Sequence, residues 1–326
     1  MEDGYEVKNG KGFMSKGHGL IIASHAFERC ADLKSIVIPN TVQYIGDRSF
    51  FGCSELESVV IPESVTEIGE GAFMDCPKLK KVKMPKYLDY IGDMAFSGCS
   101  ALQSIDIPFP VSLIKKEVFY GCSSLKKVTI PSSVNQIESG AFYDCSSLTK
   151  IELPESVSEI EERAFYGCSS LESINIPAKI EEIREETFYN CDSLMSVEIP
   201  KSVQVIGESA FSGCSSLECI DIPPSVETID CEAFCNCTNV TSIRLPASVD
   251  LIFGAIVGCD ELTTLEIYGR GDGLFLEDID FAWFDNLKEI IVPYRKKNYY
   301  IELLGWGEDI VVERKPQKKT KNDESK

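Results

Sequence analysis

The sequence predicts a repeat solenoid, one elongated stack of 23-residue coils, and three observations carry that expectation. Phenylalanine recurs at Phe27, Phe50, Phe73, Phe96, Phe119, Phe142, Phe165, Phe188, Phe211 and Phe234 with no slip in spacing. Cysteine follows each of them three residues later, from Cys30 to Cys237. Proline keeps the same beat from Pro39 to Pro246. By length alone, 326 residues could form two domains. A fixed period of this size overrides that prior, because stacked repeats share a single core.

Residues 1–19 precede the register. They hold five glycines and scattered lysines and are expected to form the cap that covers the first apolar layer. From Leu20 onward each coil is readable. Leu33, Ile36 and Ile38 follow an L-x-x-L-x-L pattern, and the alternation of Ile36 and Ile38 marks the inward positions of a strand. Pro39 has no N–H to give and ends that strand. Val42 and Ile45 turn inward next, with a turn at Gly46, while pairs such as Ala26-Phe27 and Ala72-Phe73 fill the opposite side. Cys30 closes the coil. One coil cannot bury its apolar side alone, but a stack can. Strands then pile up in parallel on the concave face, in a sheet roughly 50 Å long at ~4.8 Å per coil. Segments such as EGAFMDC are too short for a stable helix, so turns, short 3₁₀ pieces or short strands are expected on the back.

The register frays near the end. Counting 23 from Phe234 places Val257 in the phenylalanine column, with cysteine one residue early at Cys259. An insertion, Gly269-Arg270-Gly271-Asp272-Gly273, interrupts the next copy. A last degenerate repeat keeps Leu287, Ile290, Val292 and Pro293 in phase, with Phe281 and Phe284 in the phenylalanine and cysteine slots. The solenoid is thus expected over residues 20–293, as about 11–12 repeats. Residues 294–313 form a C-terminal cap in this reading. Tyr299, Tyr300, Leu303, Leu304 and Trp306 make a short helical lid stopped at Gly305. Residues 314–326 are expected to be a disordered basic tail.

The combination C-x-x-L-x-x-I-x-I-P, S-V-x-x-I and A-F-x-x-C at this spacing resembles the BspA-like, or Treponema-type, leucine-rich repeat family. CSSLKKVTIPSSVNQIESGAFYDC, Cys122 to Cys145, is one instance, and CSSLTKIELPESVSEIEERAFYGC, Cys145 to Cys168, is the next. The resemblance covers about residues 20–293, and the segment VPYRKKNYYIELLGW is similar to the family's closing tail. It implies a curved solenoid, often displayed on bacteria and some protists and associated with adhesion and host-protein binding. It carries over no catalytic residue.

Charge narrows the partners. The net charge of -20 disfavours nonspecific attraction to nucleic acid or to an anionic membrane. No apolar run approaches the ~18–20 residues of a membrane span. No export or anchor signal is seen in the chain as written, which points to the cytoplasm; the family resemblance points instead to a cell-surface or secreted protein. Fourteen cysteines would ordinarily suggest a disulfide scaffold. Here ten of them share one phase, which reads as a packing column of reduced thiols. Cys219, Cys231, Cys235 and Cys237 fall in one repeat with a spacing that matches no zinc site, so neither metal nor cofactor is expected.

Catalysis has little to stand on. His18 and His25 are the chain's two histidines, and neither is flanked by an obvious nucleophile. Binding has more. The outward strand column runs Val37, Val60, Lys83, Asp106, Thr129, Glu152, Asn175, Glu198, Asp221, Arg244 and Glu266. Beside it stand Lys80, Lys81, Lys126, Lys127 and Lys150, then Glu172 and Glu218. This is a lysine patch followed by an acidic stripe, read either as a solvated face that keeps the solenoid monomeric or as a groove for a protein or glycan partner. A third column follows the buried phenylalanine in six of the ten copies: Phe51, Met74, Tyr120, Tyr143, Tyr166 and Tyr189. It either shields the coil edges or offers an aromatic contact surface. Arg270-Gly271-Asp272 is an integrin-type tripeptide in a glycine-rich insertion, and Asn236 and Asn239 head formal glycosylation sequons. The expected function is therefore non-catalytic binding of a macromolecule. A spacer without a ligand is the alternative, and an enzyme ranks third.

Overall fold

A computed structural model describes residues 5–14, 20–251, 254–269, 284–304 and 307–314. In it the chain winds into coils with three sides. Ser58–Val60 is a strand on the first side and Glu67–Ile68 a short strand on the second. Turns around Phe73 make the third. The next coil repeats this with Lys81–Lys83 and Tyr90–Ile91. Parallel pairing joins the copies in register, Val59 to Val82 and Ile45 to Ile68. The back of the coil thus consists of a second ladder of short strands plus turns.

The turn side has its own backbone ladder. The N–H of each phenylalanine donates to a carbonyl of the following coil, as from Phe50 to Ala72 and from Phe142 to Ala164, both at 2.8 Å. Two residues of each coil, two before and two after the phenylalanine, adopt left-handed backbone. Gly140 (φ 60°) and Asp144 (φ 53°) flank Phe142 in this way. The same slots hold Met94, Glu117 and Glu186 in other coils. Such residues are costlier there than glycine, by roughly 1 kcal/mol each. This pair of reversals turns the chain around the ring.

The core is the set of columns the spacing predicts. From Phe27 to Phe234 the ten rings are fully buried and stack continuously, with centroids between 5.0 Å (Phe50–Phe73) and 5.9 Å (Phe96–Phe119). From Cys53 to Cys237 the cysteine column is also buried, with Cys30 half-buried at its start, and all ten thiols are unbridged. Each thiol points at the phenylalanine carbonyl of the preceding coil, from Cys53 to Phe27 at 3.1 Å through Cys237 to Phe211 at 3.3 Å. Cysteine is thus small enough for the column and still a weak donor to a buried acceptor.

Near residue 250 one coil is a residue short, since Thr228 pairs with Asp250 and Phe234 N–H reaches the Ala255 carbonyl. Ile256, buried, therefore fills the phenylalanine slot, and Val257 is half-buried beside it. Counting by 23 misplaced that slot by one. Phe284 does sit in the cysteine slot, buried, with its carbonyl accepting from Leu287 N–H. Phe281, Gly305, Trp306 and residues 315–326 lie outside the described residues, as do the side chains of Leu303 and Leu304.

Both ends are closed by strands. Tyr5–Lys8 and Lys11–Met14 form an antiparallel hairpin turned at Asn9-Gly10, and its second strand pairs in parallel with Ser35–Ile36. At the other end the helix Lys297–Leu304 buries Tyr300. The chain then returns as Val311–Glu313, which pairs with Glu289–Val292. Arg314 continues this edge, donating its N–H to the Val292 carbonyl at 2.9 Å.

Candidate functional site

On the first side of the coil, alternation sends Val82 inward and Lys81 and Lys83 outward. Lys80, Lys81, Lys83, Lys126 and Lys127 are all exposed. Ser104 is in register with both Lys81 and Lys127, so these two lysines share a column two coils apart, a spacing of about 10 Å. Among the described residues none of these five ammonium groups has an ion-pair partner. Val37 and Val60 precede Lys83 in the outward column and are 83% and 57% exposed. The patch therefore pairs free cations with uncovered apolar side chains.

The later coils reverse the sign. Lys150 Nζ holds Glu152 at 2.8 Å, and this hydrogen bond keeps the Glu152 carboxyl below its usual range. Glu172, Glu198 and Glu218 are exposed. Asp221 accepts from Arg244 at 3.0 Å. Arg244 also lies 3.5 Å from Glu266, against which Arg314 packs, and its guanidinium sits 3.9 Å over the Tyr268 ring. The acidic stripe is thus partly compensated, whereas the lysine patch is not.

The tyrosine column lies on a different side, beside the phenylalanine turns, and the two sets of candidate residues do not form one site. Tyr120, Tyr143, Tyr166 and Tyr189 stack face to face at 4.7, 4.3 and 4.7 Å. Burial, then a hydrogen bond with Tyr166, pushes the Tyr143 hydroxyl up to about 12. A shallow hollow of about 500 Å³ runs alongside, lined by Lys116, Glu117, Glu162, Arg163 and Glu186. Its cations are paired, Arg163 to Glu185 at 2.7 Å and Lys116 to Glu117 at 3.9 Å. Because the rings cover one another, the column offers hydroxyls and edges instead of open faces.

Among the described residues no catalytic constellation accompanies these surfaces. His25 Nδ1 lies 2.7 Å from Glu28 on an exposed turn, and His18 is outside the described residues. Burial raises the Cys122 and Cys214 thiols to about 12, the opposite of an activated nucleophile. Among the described residues no group of three metal-ligating side chains is found, and Cys219, Cys231 and Cys235 are separate free thiols. Arg270-Gly271-Asp272 lies outside the described residues. Sequence reading passed over Tyr87, Tyr90 and Phe109, which stand 69%, 44% and 59% exposed. The available signal was an aromatic in slots where neighbouring coils carry serine or glutamate.

Comparison with known proteins gives a consistent picture. A family model described as BspA type Leucine rich repeat region (6 copies) matches residues 20–149 and 135–263. A leucine-rich repeat protein from Bacteroides ovatus is 25% identical, with 88% of this chain and 97% of that chain covered and a TM-score of 0.52. One from Eubacterium ventriosum is 20% identical over 87% and 89%, with a TM-score of 0.55. The pneumococcal vaccine antigen PcpA is 23% identical over 89% and 86%, with a TM-score of 0.56. No curated protein matches the chain in sequence. Among the described residues no helix is long and apolar enough to cross a membrane.

Proposed function

The chain belongs to the BspA-type leucine-rich repeat family, and from that premise we propose that it is a non-catalytic binding protein whose strand side takes up a protein or glycan. One observation carries the reading. In a chain of net charge -20, Lys80, Lys81, Lys83, Lys126 and Lys127 stand exposed and unpaired on one sheet side. Unpaired like charges held on a rigid ladder repel one another, and an acidic partner relieves that repulsion. The uncovered Val37 and Val60 beside them add apolar area that gains from burial. Adhesion at a cell surface is the setting we infer, supported by the family resemblance alone.

The test is a binding screen on immobilised proteins and glycans, run with the intact chain and with K80E/K81E/K83E. The binder reading expects at least one ligand, lost from the variant while its melting temperature stays the same. A screen with no ligand favours a spacer. A ligand bound equally by both proteins moves the site off the strand side.

A further inference from the structure

Between the first and second strands, two neighbouring coils place aromatic rings in exposed slots of the turn. In four coils a serine two residues after the proline caps the preceding coil: Ser64 donates to the Val42 carbonyl and Ser133 to that of Val111, both at 2.7 Å, Ser156 to that of Val134, and Ser202 to that of Ile180 at 2.6 Å. Tyr87 and Pro110 replace that serine in the two coils between Ser64 and Ser133. Phe109 stands where Glu63 and Ser132 stand, and Tyr90 where Glu67 and Gln136 stand. The ladder of second strands is also interrupted here, one sheet ending at Tyr90–Ile91 and the next beginning at Leu113–Ile114. Three aromatic rings are thus exposed where the fold has given up a cap and a strand pairing.

Unlike the tyrosine column, these rings are open. Among the described residues none of the three stacks on another ring. Lys86, immediately before Tyr87, is exposed. Two of the nearby carboxylates are engaged, Glu63 by the Lys86 N–H at 2.8 Å and Asp106 by the Thr129 hydroxyl at 2.6 Å. Asp89, exposed between the two tyrosines, retains acceptor capacity. Open aromatic faces attract the C–H face of a pyranose ring, ammonium groups attract carboxylates, and a free carboxylate accepts from sugar hydroxyls. We propose that this turn binds an acidic polysaccharide, a chain of pyranose rings bearing carboxylates. The proposal rests on the reading of the protein as a non-catalytic binder and adds a second surface with a stated ligand class.

The experiment is affinity electrophoresis of the full chain through gels containing polygalacturonate or, as a neutral comparator, dextran. Y87S/F109S installs residues that other coils already carry at those slots, so its fold is expected to persist, checked by its melting temperature. Polygalacturonate is expected to retard the protein and dextran not to. Y87S/F109S is expected to bind about tenfold more weakly, the size of two lost ring contacts, while K201E on a distant coil leaves binding unchanged. No retardation by polygalacturonate, equal retardation by dextran, or full binding by Y87S/F109S would each overturn the proposal. So would loss of a protein ligand from Y87S/F109S without any polysaccharide binding, which would make the turn a protein-docking surface. The strand-side reading is judged separately by K80E/K81E/K83E, so the two can fail independently.

Discussion

A buried phenylalanine and a buried thiol hold each coil to the next. Phe142 lies between Phe119 and Phe165, and its carbonyl accepts both the Cys145 N–H and the Cys168 thiol. Phe142→Ala is expected to cost about 3–5 kcal/mol, read as a lowered urea midpoint; a near-neutral result would contradict burial of the column. The thiols make a pH prediction. A thiol is neutral while protonated, and the native state holds the protons of Cys122, Cys214 and Cys259 up to about 12. The unfolded chain releases them near about 8.5. Between those limits the unfolded state binds fewer protons, so stability is intact below about 8.5 and falls as pH rises toward 12, by up to ~1.4 kcal/mol per unit for each thiol. Melting temperatures followed from pH 7.5 to about 10.5 are expected to drop, and Cys214→Ala to flatten the slope; a level profile would count against the buried neutral column. Denatured protein prepared without reductant is expected to expose all fourteen cysteines to a thiol reagent, with Cys219 reacting first in the native state. These columns were legible because they recur in one phase. The thiol–carbonyl contact was not, since spacing reveals a column but not its acceptor.

Strands and turns were legible where one rule decided them. Ile36, Val42 and Ile45 are buried as alternation and the proline break require. The paired left-handed turns were half legible: glycine recurs in phase two residues after the phenylalanine, at Gly52, Gly98, Gly121, Gly167 and Gly213, but the slot two residues before it holds Met94, Glu117 and Glu186 as well as Gly71 and Gly140. Gly121→Ala (φ 67°) is expected to destabilise by about 1 kcal/mol, measured by thermal melting, where no change would argue for a relaxed backbone there. The N-terminal hairpin had a local signal that went unread, the Asn9-Gly10 pair between two short strands. The returning strand Val311–Glu313 had none, since three residues show no period. Removing residues 294–326 uncovers Ile290 and Val292, both fully buried. It is expected to lower stability by about 3 kcal/mol or more; an unchanged melting curve would show that the helix and last strand are ornamental.

Over the whole molecule, the residues that repeat face inward and those that differ between copies face solvent. Fold was readable for that reason, since each repeated type answers a packing demand. Recognition was readable only in part. The lysines appear as a cluster in the sequence, but whether Glu57, Asp106 or Glu152 neutralised them depended on side-chain geometry. The open aromatic turn at Tyr87, Tyr90 and Phe109 was obscured because aromatic residues elsewhere in the repeat mark the core. The most direct test of strand-side recognition is an acetylation footprint of the lysines, free and bound to the strongest ligand found in the screen. Protection of Lys80, Lys81, Lys83, Lys126 and Lys127 is expected, with Lys201, exposed on a distant coil, unchanged. Protection that spares those five lysines would contradict it.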